Sequence, residues 1–566
     1  MPNNPARTLV TLLMCGGVAF AACPTPEKTT PIPAIQGNTA QSPLKDQKVT
    51  TRGVVTGIFE GRLKFNGFFI QDKEGDNDPA TSDGLFVFQL GALDLKIGDE
   101  VQVTGTVKEY LNPKARGKDT ETSIELPSEV TVCSSGNTLA PTPITLPRNS
   151  WEALEGMLLS FPQKLTITDL YRLERYGEMG LAAEGRQFVP TNGNTTRTKQ
   201  QNLDLRIVLG DGASEEYPSP VPFMQDYIRL GDTVDGVTGV LRYDLDTYKV
   251  EPVKAPTITR TSPRPEKPPF VAGNVKIASM NVLNYFTTLE MRGATDEIEL
   301  ERQRKKLIAT MVELQTDVIT LMEIENNVPT ENPKDPKDPL QDLTDGLNEA
   351  LGGKVYGSIK TPKLGSDDIR VAYLYRLDTI APVGNFKIDS SNVFERPPLA
   401  QTFSRKGSKE TFTVVGIHFK SKGSCGNTDT DTGQGCWNQK RTEQSKQLLN
   451  FVNTLSTPNV VLVGDFNAYG AEDPVKVIKE AGYQSAEERL PEPERYSYSF
   501  AGESGSLDHI FVAPSLQSKI YGVGIWHINS DESQYLDYRQ KILDLYTPTP
   551  FRSSDHDPII LGLQLN

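Results

Sequence analysis

The N-terminal half of the chain alternates apolar and polar residues with a period of two. The alternation covers residues 50–59, 66–72, 83–90 and 99–110, and Gly and Asp turns separate these stretches. Such a period between turn residues is typical of short, half-buried strands, and no helical periodicity is evident there. It predicts a small all-β domain in residues 23–140, in which the Pro- and Thr-rich start is expected to lie along the surface without packing.

The same order of segments recurs in residues 150–256. The stretch GDEVQVTGTVKEY at residues 98–110 aligns, with one inserted Gly, with GDTVDGVTGVLRY at residues 231–243. We interpret the recurrence as two copies of one small β-barrel. The alternative interpretation is two unrelated β domains that share a common hairpin.

A Pro-rich, charged segment at residues 257–272 is typical of a semi-rigid linker. After it, residues 273–566 contain both periodicities. Residues 301–315 and 438–455 place their apolar side chains on one helical face, and short apolar runs between them predict strands. This mixture predicts one large α/β domain.

Composition and charge narrow the classes of function. The 566 residues include 59 basic and 73 acidic side chains, which gives a net charge of −14. The chain therefore lacks the overall positive charge on which simple nucleic-acid-binding proteins rely, and a polyanionic partner must be bound locally. No later apolar run is long enough to span a bilayer, and no protein partner is evident, so we expect a soluble monomer.

The first 22 residues predict a signal peptide. One Arg precedes a mostly apolar stretch at residues 9–22, which ends in an A-x-A pattern at residues 19–21. We therefore expect a secreted, extracellular protein. A periplasmic protein, or one with a lipid anchor on Cys23, is the alternative, although Phe20 stands where a lipoprotein signal usually has Leu.

Four cysteines remain after removal of this peptide, and an even number suits an oxidising compartment. Cys425 and Cys436 bracket a loop rich in Gly, Asp and Thr that could hardly order itself, so we predict that they pair. Cys23 and Cys133 are then left to form a second disulfide. Zinc binding is the other use of four cysteines, but no C-x2-C spacing is present.

Chemically useful side chains recur where the predicted strands of the α/β domain end. A single Asp or His at such a point is usually a turn cap, but a repeated coincidence indicates a site at one edge of the sheets. The residues concerned are Asn281, Glu323, His418, Asp465, Asn467, Asp555 and His556.

These segments resemble, in order, the motifs of the endonuclease/exonuclease/phosphatase superfamily, the Mg²⁺-dependent phosphodiesterases that include DNase I-like nucleases. The motifs are SMNVLNYF from Ser279, LMEIENN from Leu321, GIHFKSKG from Gly416, GDFNAYG from Gly464, SLDHIF from Ser506 and SSDHDP from Ser553. The chain resembles in particular bacterial secreted nucleases that carry OB-like domains before the nuclease domain. The resemblance implies a multidomain protein of two small all-β OB-like barrels followed by a four-layer αββα sandwich.

The resemblance also implies roles for individual residues. Asn281, Glu323 and Asp555 would bind Mg²⁺, with Mn²⁺ or Ca²⁺ as alternatives, and all three offer the hard oxygen ligands that Mg²⁺ prefers. Asp465 would orient or deprotonate the attacking water, and Asn467 would hold a phosphate oxygen. His556, oriented by Asp508, would be a general base or phosphate stabiliser. His418 would be a second acid/base or phosphate contact, with Asp367 or Asp368 as its carboxylate partner.

Five further residues are candidates for substrate binding. Arg370 is a candidate phosphate contact, and the others flank the predicted disulfide loop as a cationic and aromatic surface for nucleic acid: Lys420, Lys422, Trp437 and Arg441. The expected function is that of a secreted nuclease for DNA, or for RNA. The alternatives are a metal-dependent phosphoesterase of small or lipid phosphate esters, and a single-strand-binding protein with an inactive catalytic domain.

Overall fold

A computed structural model describes residue 23 and residues 29–224, 226–327 and 337–566. The predicted signal peptide lies outside the described residues. The described chain forms three successive units, and none of its helices is long and apolar enough to cross a membrane.

The first unit is a closed five-stranded barrel with the strand order β1-β2-β3-β5-β4. All neighbouring strands are antiparallel except β3 and β5, which are parallel. The start of the unit differs from the prediction, because a short helix, α1, packs Ile32 and Ile35 into the barrel core, where both are fully buried. The elements are α1 (Ile32–Gln36), β1 (Lys48–Phe59), β2 (Gly67–Gln71), β3 (Gly84–Phe88), β4 (Glu100–Tyr110) and β5 (Glu121–Ser134).

The second unit is a nine-stranded sheet rather than the closed barrel that the repeat predicted. Its strand order is β14-β11-β8-β9-β10-β13-β12-β7-β6. The edge strand β14 lies within the predicted linker, so the start of that linker belongs to this sheet. The strands are β6 (Thr142–Pro143), β7 (Leu158–Ser160), β8 (Leu165–Asp169), β9 (Met179–Ala182), β10 (Arg206–Leu209), β11 (Thr233–Asp235), β12 (Thr238–Asp244), β13 (Thr247–Pro252) and β14 (Thr257–Thr259). Two short helices are α2 (Leu173–Tyr176) and α3 (Lys199–Asp204).

The sheet of the second unit nevertheless repeats the strand order of the first. Strand β7 is followed directly by β8, and β11 by β12, so each pair is one stretch of chain with a break. β8 pairs with β11, and β7 pairs with β12. The one parallel pair among the larger strands, β10 with β13, stands where β3 and β5 stand in the barrel. The second unit therefore keeps the strand order of the first, but two of its strands are each split in two by a break.

The third unit contains two six-stranded sheets, ordered β17-β18-β16-β15-β28-β27 and β19-β20-β21-β22-β26-β23. Strands β24 and β25 form a separate hairpin. The strands are β15 (Val275–Tyr285), β16 (Val318–Glu325), β17 (Tyr356–Ser358), β18 (Ile369–Arg376), β19 (Ile380–Ile388), β20 (Leu399–Arg405), β21 (Thr411–His418), β22 (Val460–Asp465), β23 (Gln484–Ser485), β24 (Tyr498–Phe500), β25 (Glu503–Gly505), β26 (Asp508–Val512), β27 (Ile520–Ile525) and β28 (Ile559–Leu563). The helices are α4 (Glu297–Leu314), α5 (Pro339–Ala350), α6 (Asn438–Asn453) and α7 (Asp473–Glu480).

Apolar side chains on both faces of the central strands produce a four-layer sandwich. On β15, Val275 and Ile277 face the core between the two sheets, whereas Ala278 and Met280 face the outer helices α4 and α5. Successive side chains of a strand point to opposite faces, so one strand supplies both cores. Helices α6 and α7 cover the outer face of the second sheet in the same way.

Strand directions bring the candidate residues to one edge of the sandwich. β15 and β16 are parallel, as are β21 and β22, so their carboxyl ends lie together in each sheet. β26 runs antiparallel to β22, and β28 antiparallel to β15, so their amino ends reach the same edge. These strand ends are far apart in sequence, but they meet at this one edge of the sandwich.

Both predicted cysteine pairs are brought together. The Cα atoms of Cys425 and Cys436 are 4.8 Å apart, and those of Cys23 and Cys133 are 4.9 Å apart, with disulfide bonds in both pairs. The pairing is consistent with an oxidising compartment.

Candidate active site

One part of the site is a group of oxygen ligands at the ends of β15 and β16. Asn281 Nδ2 donates to Glu323 Oε1 at 3.0 Å, and the backbone NH of Asn284 donates to Glu323 Oε2 at 2.9 Å. Glu323 has a φ of 67°, an unusual left-handed conformation for a residue other than Gly, and this backbone bend occurs where the β15–β16 register shifts. Burial and the nearby Asp555 carboxylate raise the pKa of Glu323.

Two carboxylates and an amide that crowd together in this way fit a hard divalent cation. The repulsion between the Glu323 and Asp555 carboxylates is offset in part by the positive charges of His556 and Arg396, and a bound divalent cation would offset it further. The donors are oxygen atoms, as Mg²⁺ prefers, and no thiol is among them. Asn281, Glu323 and Asp555 therefore suit the metal-ligand set implied by the resemblance.

The second part of the site is built around His556. Its Nδ1 lies 2.7 Å from Asp508 Oδ2, which also accepts a hydrogen bond from Ser497 Oγ at 2.6 Å. Asp465 stands directly opposite Asp508 in the β22–β26 ladder. The ligand atoms of Asp465, Asp508 and His556 lie within 4.8 Å of one another, so this group could also hold a metal ion.

The charges of this group depend on burial and on the carboxylates around His556. Burial alone would lower the pKa of His556, but the carboxylates of Asp508 and Asp555 outweigh it and hold that pKa well above the ordinary range. Burial also raises the pKa of Asp465, which His556 partly counteracts. The group thus combines an imidazolium with a carboxylate that binds a proton more readily than usual.

Asn467 and His418 both contact Asp465. The backbone NH of Asn467 donates to Asp465 Oδ1 at 2.7 Å, and its side-chain amide donates to Asp465 Oδ2 at 3.2 Å. His418 Nε2 lies 3.5 Å from Asp465 Oδ2. Burial, followed by the positive charge of Arg396, lowers the pKa of His418 well below its usual value, so this imidazole is neutral.

The predicted carboxylate partner of His418 is wrong. Asp367 forms ion pairs with Arg292 at 2.6 Å and with Arg396 at 3.4 Å, and the backbone carbonyl of Asp368 accepts a hydrogen bond from the Asn326 NH. His418 Nδ1 is buried without a hydrogen-bond partner in the part of the chain that the structure describes. Its nearest carboxylate is Asp465, across two parallel strands in register, a relation that spacing in the sequence does not reveal.

The five candidates for substrate binding divide into two groups. Lys420 and Trp437 form a surface next to the disulfide loop, with the ammonium 5.3 Å from the indole ring centroid. The other three, Arg370, Lys422 and Arg441, make internal contacts. Arg370 is buried against Thr361 and the Glu325 carbonyl, Lys422 pairs with Glu472 at 2.5 Å, and fully buried Arg441 donates to the carbonyls of Lys420, Gln434 and Cys436.

Two residues beside the site, Tyr498 and Arg396, were not predicted from the sequence. The Tyr498 ring lies 4.7 Å from the His556 ring. Arg396 donates to the carbonyls of His418 and Phe419, and its charge acts on Asp465 and Glu323. The aromatic run YSYSF before the SLDHIF motif was a usable signal for Tyr498, whereas Arg396 lies in a segment without any motif.

This four-layer α/β fold, with carboxylates and imidazoles gathered at one edge of its sheets, places the C-terminal unit in the class of phosphoester hydrolases. Residues 278–556 match the family model described as "Endonuclease/Exonuclease/phosphatase family", and this unit belongs to that family. Residues 112–262 match a domain of unknown function, DUF8508. A comparison with curated proteins gives no match.

Several solved structures are similar to about half of the chain. The human Nocturnin catalytic domain is 18% identical over 52% of this chain and 95% of its own, with a TM-score of 0.33. An endonuclease/exonuclease/phosphatase from Bacteroides vulgatus is 16% identical over 52% and 99%, with a TM-score of 0.35. D. rerio TDP2 complexed with a single-strand DNA product is 16% identical over 51% and 97%, with a TM-score of 0.32.

Proposed function

We propose that the chain is a secreted, Mg²⁺-dependent nuclease that hydrolyses phosphodiester bonds of DNA by endonucleolytic attack. The observation that carries the proposal is the meeting of two groups at one sheet edge: the oxygen ligands Asn281, Glu323 and Asp555, and the His556–Asp508 pair with Asp465 beside it. Phosphodiester hydrolysis needs charge neutralisation, an oriented water and a proton donor for the leaving oxygen. The two groups supply all three.

The metal would be held by Asn281, Glu323 and Asp555. When bound, Mg²⁺ would neutralise phosphate charge and polarise the phosphorus–oxygen bonds. The bonds from Asn281 Nδ2 and the Asn284 NH to Glu323 keep this carboxylate oriented before substrate arrives. A metal-binding side chain that its neighbours already hold in place loses little conformational freedom when the metal binds, and this favours affinity for the metal.

The shifted pKa values suggest how the remaining roles divide. His556 is an imidazolium at neutral pH, because two carboxylates raise its pKa, so it would stabilise phosphate charge or donate a proton rather than accept one. Asp465, with a raised pKa, would take the proton of the attacking water. Neutral His418, 3.5 Å from Asp465, would keep that carboxylate oriented, and Asn467 would hold it through its backbone NH and its side-chain amide.

We also propose that both N-terminal units are OB-like and that the protein acts as a monomer. Support for the OB-like assignment comes from the five-strand order with one parallel pair, which the second unit repeats across its two chain breaks.

Covalently closed circular DNA tests the proposed function. Purified mature protein should nick or linearise the circle in Mg²⁺, and a chelator should stop the reaction. The His556→Ala variant, checked for a wild-type melting temperature, should leave the circle intact. A circle that survives with the wild-type protein while linear DNA is shortened would make the enzyme an exonuclease. Survival of both, with hydrolysis of sugar or lipid phosphates, would contradict the nuclease proposal.

A further inference from the structure

A cavity of about 600 Å³ lies between the second unit and the hydrolase unit. Tyr171 and Leu230 of the second unit form one side, and Tyr498, Phe500 and Arg552 of the hydrolase unit form the other. Asp555, a proposed metal ligand, also lines the cavity. We call this cavity the interdomain groove. It therefore opens directly onto the candidate active site.

Aromatic rings lead from the active site into the interdomain groove. The Tyr498 ring lies 4.7 Å from the His556 ring, and the Phe500 ring follows 6.5 Å further along β24, with an angle of only 12° between the two ring planes. Phe500 is 67% exposed, and Tyr171, on the other side of the groove, is 71% exposed. Exposing two large rings to water at one groove costs free energy unless a ligand covers them.

The groove also contains an unpaired cation. Arg552 has no carboxylate within ion-pair distance among the described residues. Its Nη1 donates to the carbonyls of Asn529 and Glu532, whereas its Nε is buried without a hydrogen-bond partner there. Of the acidic side chains that line the groove, Glu532 pairs with Arg229 and Arg264, and Asp537 pairs with Arg539 and Lys541. Asp169 and Asp555 form no ion pair within the described part of the chain. A partly buried guanidinium without a carboxylate partner can pair with a phosphate group.

The second unit holds the aromatic hairpin in place. Ser504 NH donates to Gln187 O at 2.9 Å, and Val189 NH donates to Ser504 O at 3.0 Å, so the hairpin β24–β25 is bonded to the second unit through its backbone. Arg206 donates to the carbonyls of Ala501 and Gly502 at the hairpin turn. Phe500 is therefore presented on a fixed support.

From these contacts we propose that the interdomain groove binds a single-stranded segment of the nucleic-acid substrate and guides it into the active site. Bases stack on Phe500 and Tyr171, and a backbone phosphate pairs with Arg552. Only unpaired bases expose the flat faces that such rings stack against, and stacking of this kind tolerates any sequence. The inference rests on the proposed nuclease function and adds to it the strand state of the preferred substrate and a role for the second unit.

The test measures the binding of a labelled single-stranded oligonucleotide by fluorescence anisotropy in the presence of a chelator, so that no cleavage occurs. Tyr171→Ala and Phe500→Ala should each weaken binding about fivefold or more, the loss expected for one base–aromatic stack. Tyr171→Phe should keep wild-type affinity because the ring remains. Matched controls are Tyr521→Ala and Phe270→Ala, which remove exposed rings that do not line the groove and should leave affinity within about twofold.

The outcomes separate this inference from the proposed function. If wild-type protein nicks circular DNA but Tyr171→Ala and Phe500→Ala bind as the controls do, the groove is not the binding site and the nuclease proposal stands. A wild-type protein that prefers a duplex of the same sequence would also overturn the inference. If wild-type protein neither binds the oligonucleotide nor cleaves DNA, the proposed function itself fails.

Discussion

At the scale of single residues, the molecule contains two similar histidine–carboxylate pairs with different surroundings. His556 Nδ1 lies 2.7 Å from Asp508, beside Asp465 and Asp555. His527 Nδ1 lies 3.0 Å from Asp557, and its ring stacks on Tyr496 at 4.0 Å. The contact between imidazole and carboxylate is common to both, so only the neighbouring groups distinguish them.

This comparison provides a matched test of the role of His556. His556→Gln should lower kcat on DNA by about 10² to 10⁴, the usual contribution of a positioned acid or base, because Gln can bond to Asp508 but cannot carry the charge. His527→Gln should leave kcat within about threefold of wild type. Steady-state kinetics on a fluorogenic DNA substrate measures both variants, with melting temperatures as the check on folding. Equal effects of the two substitutions would contradict the assignment.

At the scale of elements, the loop between β21 and α6 depends on two restraints. The Cys425–Cys436 disulfide closes it, and the Arg441 guanidinium bonds to the carbonyls of Gln434 and Cys436 from the start of α6. Together they fix the surface where the Lys420 ammonium lies 5.3 Å from the Trp437 ring. This surface stands beside His418, at the end of β21.

Removal of that disulfide should therefore affect substrate handling. The double variant Cys425→Ser/Cys436→Ser should raise KM for DNA about two- to fivefold, as expected for the loss of one exposed cationic and aromatic contact, with kcat little changed. The matched control is Cys23→Ser/Cys133→Ser, which removes the disulfide of the first unit. We expect the control to keep the wild-type KM. An unchanged KM in the first variant would make the loop incidental to substrate binding.

At the scale of the whole molecule, the second unit is bonded closely to the hydrolase unit. Arg186 pairs with Asp531 at 2.7 Å, and Arg229 pairs with Glu532 at 2.8 Å. Asn192 Oδ1 accepts a bond from the Ser506 NH, two residues before Asp508. The second unit therefore supports the same segment that positions the proposed catalytic carboxylate.

One interface group makes stability depend on pH. Glu174 is fully buried, receives a hydrogen bond from Ser533 Oγ, and has its pKa raised from 4.5 to about 7, chiefly by burial. Between these pH values the unfolded chain is ionised while the folded chain stays protonated, so stability falls as pH rises from 4.5 to about 7. The shift corresponds to about 3 kcal/mol.

Glu174→Gln should remove this dependence, because Gln has the same shape and does not ionise. Between pH 5 and pH 8, the melting temperature of wild type should fall more than that of Glu174→Gln. Glu184→Gln, which changes an exposed glutamate of the same unit, serves as the control and should follow wild type. Parallel melting curves for wild type and Glu174→Gln would show that Glu174 does not titrate in this range.

The sequence alone determined the α/β character of the third unit, the family motifs and the cysteine pairs. Each depends on local periodicity or on spacing along the chain, which are properties of the sequence itself. The tertiary structure decided which polar side chains meet. His418 faces Asp465 rather than Asp367 or Asp368 because two parallel strands stand in register, and Arg370 and Arg441 are buried in internal contacts. The interdomain groove forms when two units pack and bring together residues more than 300 positions apart, such as Tyr171 and Phe500. No pattern along the chain predicts this contact between units.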